Sequence, residues 1–278
     1  MIRKPAVAYQ FYPGEPGALK KTVESLVNPH TKDFGVGVKQ KTEKEDALAL
    51  IAPHAGYIYS GKVAGSVYSS ARIPENIILL GPNHTGLGER VALMTQGEWD
   101  MPFGKVKINQ ELAHILLEES HTFSDNSTAH LREHSLEVQL PFIHHFNPKA
   151  SIVPVTIMYL DYKECEELGK TIAKAIRKYK DKVLIAVSSD MNHYESDTVT
   201  KKKDKKAIDK ILALDPKGLM TTVTSENISM CGIIPAAIAL VAAKELGAKK
   251  AELVDYATSG ETSGDYDHVV GYAGILIK

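Results

Sequence analysis

Three histidines stand just beyond apolar runs, and their placement is the first chemical signal in this chain. His54 follows Leu48-Ala-Leu-Ile-Ala-Pro53, His84 follows Asn76-Ile-Ile-Leu-Leu-Gly-Pro-Asn83, and His193 follows Lys182-Val-Leu-Ile-Ala-Val-Ser-Ser-Asp-Met-Asn192. Short apolar runs bounded by turn residues read as buried strands. In open α/β sheets ligands bind outside the carboxyl ends of strands, so three such ends predict one shared site. Imidazole is the commonest metal ligand and titrates near neutral pH. The chemistry in view is therefore metal binding or proton transfer.

His54 and His84 lead, because each lies close to a proline that fixes the backbone and the pair is expected at the ends of two neighbouring strands. One histidine alone in such a place would be read as structural. Cys231 is the natural third member: it lies at or near the start of an apolar helix, where unpaired N–H groups and the helix dipole favour a thiolate, a ligand and a nucleophile alike. A small buried residue that only packs is the alternative. Asp190 and His193 share the third strand end, three residues apart, which suits a general acid/base pair or a carboxylate that orients an imidazole; alternatively Asp190 only caps a following helix. His134 and Glu137, also three apart, line the same cavity or belong to a solvated helix face. Tyr57, after Ala55-Gly56, would wall the cavity.

The intervening elements must position these groups. Apolar spacing predicts helices over Gly17–Val27, around Val63–Tyr68, over Asn109–Glu119, Glu164–Tyr179, Lys201–Leu214 and Lys217–Thr224. Ser229–Gly247 is apolar almost all round, hence a buried helix ending at a glycine. Pro141 should kink or restart a helix over Glu133–Phe146. Strands are expected near Arg90–Met94, at Ser151–Ile157, Ala251–Ala257 and Val269–Ile277, with Pro154 arguing against a central place for the second. Asn28 to Glu45 lacks periodicity and reads as a surface loop. The strand–helix–strand unit from Leu48 to Leu80 implies a right-handed crossover between parallel strands. There is no internal repeat at solenoid spacing. The fold class is α/β, with a central mixed, largely parallel sheet flanked by helices in one domain spanning residues 1–278.

At 278 residues, 44% hydrophobic and a net charge of −1, the chain suits a globular domain with no general attraction to nucleic acid or membrane. The run Lys201-Lys-Lys-Asp-Lys-Lys206 reads as a solvated face rather than a binding patch. The longest apolar stretch, Ile233 to Ala243, falls well short of the roughly 20 residues a bilayer needs. The first residues lack the apolar core of a signal peptide, so a cytoplasmic protein is expected. Cys165 and Cys231 are read as free thiols, Cys165 as a packing or surface residue.

Pro53-His-Ala-Gly-Tyr57, Leu80-Gly-Pro-Asn-His84, Glu133-His-Ser-Leu-Glu-Val-Gln-Leu-Pro141, Ser188-Ser-Asp-Met-Asn-His193 and Met230-Cys-Gly232, in this order, together resemble the Memo family, as does the aromatic Tyr9-Gln-Phe-Tyr-Pro13. That family is related in fold to the class III extradiol dioxygenases, non-haem iron enzymes that open catechol rings. The resemblance implies a metal site at His54, His84 and Cys231, with Asp190 and His193 beside it. Where the dioxygenases use two histidines and a carboxylate, this chain has a thiolate, a softer ligand that suits iron or copper, with zinc also fitting, better than magnesium or calcium. Ring cleavage is therefore not inherited from the fold. Three functions compete: a metal-dependent, dioxygenase-like redox protein; a binding or regulatory module that keeps the cavity for a small-molecule or peptide ligand; and a metal-free thiol enzyme with Cys231 as nucleophile and His193 as base.

Overall fold

In a computed structural model of the chain, which describes residues 1–27 and 44–278, four parallel strands form the middle of the sheet. Their order is Ser151–Ile157, Asn76–Pro82, Val183–Ser188 and Ala49–Ala52. Alternate residues feed two cores: Ala49, Ile51, Ile78 and Leu80 face one, and Leu50, Ala52, Ile77 and Leu79 the other. A parallel strand covered on both faces reads as an unbroken apolar run, which is why these segments show no polar alternation.

The flanks are mixed. Val269–Ile277 runs antiparallel to Ala49–Ala52 and pairs with Ala251–Thr258 on its other side. At the opposite end Gly104–Ile108 lies parallel to Ser151–Ile157, and Glu98–Met101 runs antiparallel to Gly104–Ile108. The chain is thus an α/β protein with a central mixed sheet flanked by helices, parallel at its centre, an architecture compatible with the dioxygenase-like fold. The surface loop expected from Asn28 to Glu45 lies, through residue 43, outside the described residues. No helix among the described residues is long and apolar enough to cross a membrane.

Two expectations are corrected. The strands that deliver His54 and His84 are parallel but not neighbours, because Val183–Ser188 lies between them. The strand carrying Asp190 and His193 beyond its end is therefore the middle of the three, which brings the site closer together. Second, Pro154 sits in an interior strand. On the flank away from Asn76–Pro82, pairing covers Ser151 and Ile152, then resumes at Val155 with Val91–Leu93. Pro154 falls in that gap, where a missing N–H is tolerated.

The helices follow the periodic residues closely. Tyr162–Tyr179 opens with a capping box between Asp161 and Glu164. The apolar helix Ile233–Glu245 packs against it, and Gly169 makes the approach possible: a Cβ there would lie 2.6 Å from Val241 Cβ and 2.7 Å from the Ile238 carbonyl oxygen. Pro141 restarts a helix, Leu140–Phe146, after a 3-10 turn at Glu137–Gln139. Four of the five lysines of the basic run are paired with acidic side chains: Lys201 with Asp197, Lys203 with Glu195, Lys205 with Asp209 and Lys206 with Glu226.

Among those lysines is a buried carboxyl group. Asp204, on the helix Asp197–Leu212, accepts hydrogen bonds from Asn192 N (2.8 Å) and the Tyr256 hydroxyl (2.7 Å). Gly271 leaves the room, since a Cβ there would lie 1.8 Å from Asp204 Oδ2. Burial pushes the carboxyl up to about 7 against the pull of its two donors. A raised carboxylate pKa means the folded state holds a proton the unfolded chain has released, so stability falls as pH rises from near 4 to near 7. Urea unfolding should show the wild type losing on the order of 4 kcal/mol across that window relative to Asp204→Asn; parallel curves for the two proteins would refute the assignment.

Candidate metal centre

Two of the strand ends, those carrying His54 and His84, meet the segment that carries Cys231. His54 Nε2 and Cys231 Sγ are 3.3 Å apart, the rings of His54 and His84 are 5.2 Å apart at 77°, and one ligand atom from each of the three residues lies within 4.8 Å of the other two. Glycines permit the convergence. A Cβ on Gly232 would lie 2.4 Å from Ser189 Cβ and 2.7 Å from the Ser188 carbonyl oxygen, so only glycine lets the Cys231 segment rest on the middle strand's end. A Cβ on Gly81 would lie 2.6 Å from Leu136 Cδ2, so Gly81 admits the segment that carries Glu133.

Hydrogen bonding decides which nitrogen of each ring is free. Ser188 Oγ has one hydrogen, and it must go to the Ser135 carbonyl oxygen at 2.5 Å, which can only accept. His54 Nδ1, 2.9 Å from the same oxygen, is therefore the protonated nitrogen. Its Nε2 lone pair faces Cys231. Gln139 completes the arrangement by donating to Ser188 Oγ and the Pro53 carbonyl oxygen, each at 2.9 Å. His84 Nδ1 donates to Glu133 Oε1 at 2.9 Å, again leaving Nε2 free. Its backbone N–H donates to Glu133 Oε2 at 2.5 Å, and Asn83 folds the turn by accepting from Thr85 N and Gly86 N. Carboxylate and hydroxyl partners of this kind fix ring orientation in metal sites.

Electrostatics agree with the geometry. Burial and the neighbouring imidazoles of His84 and His134 hold His54 well below the ordinary histidine value, so it is a neutral donor. Burial alone would raise Glu133, but the bond from His84, the Ser135 N–H and the nearby His134 overcome it and hold the carboxyl at about 2. The Cys231 thiol departs from expectation. It lies two residues before the helix Ile233–Glu245, and burial together with the Asp190 carboxylate pushes it up. The sulfur therefore keeps its proton until a cation displaces it.

The remaining predicted residues divide. His134 joins the cluster, stacked on His84 at 4.7 Å and 18°, with Phe11 packed 4.9 Å from its ring. His84, Glu133 and His134 make a second group with ligand-like spacing. Glu133 already accepts three hydrogen bonds from His84 and Ser135, and this group shares His84 with the first rather than standing apart. Asp190 is placed beside the site, but not to orient His193. Its Oδ1 accepts from His54 N at 2.7 Å, and its Oδ2 lies 4.0 Å from His54 Nε2. It caps no helix either; a short strand, His193–Glu195, follows it. His193 is held by Ser229 instead, donating Nδ1–H to the Ser229 carbonyl oxygen at 2.9 Å and its backbone N–H to Ser229 Oγ at 2.7 Å.

Glu137 is a correction. Fully buried, it pairs with Arg3 and accepts from the Tyr12 hydroxyl, Ala6 N and Val7 N, which leaves it no capacity for a ligand and no solvated face. Tyr57 begins the helix Tyr57–Ser70 and is also buried. Its hydroxyl donates to the Val138 carbonyl oxygen at 2.7 Å, so any ligand contact would be through the ring, which borders a groove of about 460 Å³ beside Tyr9 and Phe11. Glu133, Ser188 and Ser229 were not singled out from sequence. The signal for Glu133 was its position directly before His134 in the ordered motif that resembles the Memo family; a serine that fixes an imidazole tautomer leaves no such trace.

The chain as a whole can now be compared with known proteins. The model of the Memo-like protein family matches residues 3–276. The chain belongs to the Memo family. A MEMO1 family protein of Sulfurisphaera tokodaii is 44% identical over 281 residues, covering 99% of each chain. Another from Methanopyrus kandleri is 41% identical across 100% of this chain and 99% of its own, and one from Pyrobaculum arsenaticum is 42% identical across 99% and 98%. In this Memo protein the outer carboxylate can be tested directly. Glu133→Gln weakens the hold on His84 and is expected to lower divalent-metal affinity roughly 10–100-fold, read by competition with a chromophoric chelator. Unchanged affinity would remove Glu133 from the site.

Proposed function

We propose that this protein is a mononuclear metal-binding redox protein of dioxygenase-like type, holding iron or copper, or less favourably zinc, between His54, His84 and Cys231, and acting on a small-molecule ligand. The observation that carries it is the pair of imidazoles with Nδ1 held by partners, His54 Nε2 lying 3.3 Å from Cys231 Sγ and one ligand atom of each of the three residues lying within 4.8 Å of the others. Two nitrogen donors and one thiol fit a borderline or soft transition metal better than a hard cation. A redox-active metal held there supplies electron transfer and Lewis acidity.

The chain's own groups supply the rest. His193, with Nδ1 committed to Ser229, keeps Nε2 free and its ring partly open to solvent, so it can take a proton from a ligand and pass it outward. Burial pushes the Asp190 carboxyl up despite the N–H groups of His54 and Ala55 and the nearby His193. His134 offers a third neutral imidazole, kept low by burial. The metal-free thiol enzyme is disfavoured, because a nucleophilic Cys231 needs a lowered thiol pKa and its surroundings raise it.

Metal analysis of anaerobically purified wild type and His54→Ala tests the proposal. Iron or copper near one equivalent in the wild type, lost in the variant, is the expected result. Equal and negligible metal in both would overturn it. Oxygen uptake by metal-loaded protein with catechols and other phenols then separates catalysis from a ligand-binding module, which would consume none.

A further inference from the structure

Asn192 ties its own segment, which carries His193, to the segment that carries Cys231, is wholly buried, and uses every polar atom it has. Its N–H donates to Asp204 Oδ1 at 2.8 Å and its carbonyl oxygen accepts from Gly271 N at 2.9 Å. The side-chain amide donates to Glu195 Oε2 at 2.7 Å and to Thr200 Oγ1 at 3.3 Å. Oδ1 accepts from Ser229 N at 3.1 Å and from Ser229 Oγ at 3.2 Å. Ser229 in turn holds the His193 ring through its carbonyl oxygen and the His193 backbone through Oγ, and Cys231 is two residues further on.

From this geometry we infer that Asn192 is a positioning residue: through Ser229 it fixes the His193 tautomer and the place of Cys231 relative to His54. The side chain must both donate and accept, since one end meets the Glu195 carboxylate and the other meets two donors. An amide does this, and a carboxylate does only half. Asn192→Asp keeps an acceptor for Ser229 but sets a carboxylate against Glu195. Asn192→Ala removes both ends. A merely structural role predicts that the aspartate variant is no better than the alanine one; a positioning role predicts that it preserves His193.

The purpose of the positioning rests on the metal reading above, but its primary readout does not. Long-range proton–nitrogen correlation spectra of the metal-free full chain report the tautomer of each histidine. Wild type and Asn192→Asp should show His193 as the Nδ1–H form, whereas Asn192→Ala should show a mixture, with His54, held by Ser188, unchanged as the internal control. If Asn192→Ala does not fold, Asn192→Ser, whose short hydroxyl cannot reach Glu195 and Ser229 together, serves in its place and should show the same mixture. A single His193 tautomer persisting in Asn192→Ala, or in Asn192→Ser when the alanine variant is unfolded, would overturn the inference, as would an aspartate variant that behaves like alanine. In the same proteins cobalt(II) affinity should fall roughly 10–100-fold in Asn192→Ala. If wild type binds no cobalt while the tautomers behave as stated, the metal reading fails and the positioning role stands.

Discussion

Replacing Cys231 with serine is expected to lower affinity for iron(II), copper and zinc by more than the roughly 100-fold that loss of an outer partner costs, because one of the three donors His54, His84 and Cys231 changes from sulfur to a hydroxyl that does not ionise near neutral pH. The loss should be greatest for the softest metal, since thiolates select copper(I) and zinc over hard cations. The fold should survive, because serine is close to cysteine in size and Asp190 N, which donates to the sulfur at 3.3 Å, can donate to an oxygen. Chelator competition gives the affinity, and alkylation of the wild type gives a second check. With Asp190 and burial holding the thiol protonated, Cys231 should alkylate slowly in the metal-free protein. Its protection should increase further on adding metal. Rapid alkylation that metal does not affect would separate the cysteine from the site.

Arg3→Ala should produce the largest loss of stability, about 3–5 kcal/mol, because it leaves the Glu137 carboxylate buried without its cation. Arg3 is wholly buried beneath Trp99, 4.2 Å from the ring centroid, and besides Glu137 it donates to the carbonyl oxygens of His130 at 3.0 Å and Glu133 at 2.6 Å. The damage should therefore reach the site. Glu137 opens the turn whose Gln139 holds Ser188 and Pro53, and Glu133 holds His84. Denaturant unfolding measures the first effect and metal affinity the second. A paired change, Arg3→Met with Glu137→Leu, removes both charges and should recover part of the lost stability, the remainder being lost because Tyr12, Ala6 N and Val7 N no longer have their acceptor. Equal losses in the single and paired variants would show that the ion pair is not the cause.

How far the sequence discloses the site can be followed residue by residue. His54, His84 and Cys231 were legible because strand ends and a helix start are marked by local punctuation, Pro53, Pro82 and Gly232, and the chemistry of the side chains is visible in their types. The strand order was not, because nothing local tells Val183–Ser188 to enter between Ala49–Ala52 and Asn76–Pro82. Glu137 was misplaced for a related reason: its partner Arg3 is 134 residues away, and helical spacing near Leu136 and Leu140 says nothing about a cation from the other end of the chain. The Asp190–His193 spacing suggested a direct pair, yet the chain turns between them so that Asp190 serves His54 and Ser229 serves His193. The thiol pKa was anticipated in the wrong direction, since burial and a nearby carboxylate outweigh the helix start. Spacing places residues on elements; long-range packing decides what each element meets.

The most direct test is anomalous diffraction from crystals grown with iron, copper or zinc and measured on both sides of the metal's absorption edge. A single peak at about 2.0–2.3 Å from Nε2 of His54, Nε2 of His84 and Sγ of Cys231 is the predicted result. A metal bound instead by His84, Glu133 and His134 with Cys231 left aside, or no peak within reach of the sulfur, would contradict the account at its centre.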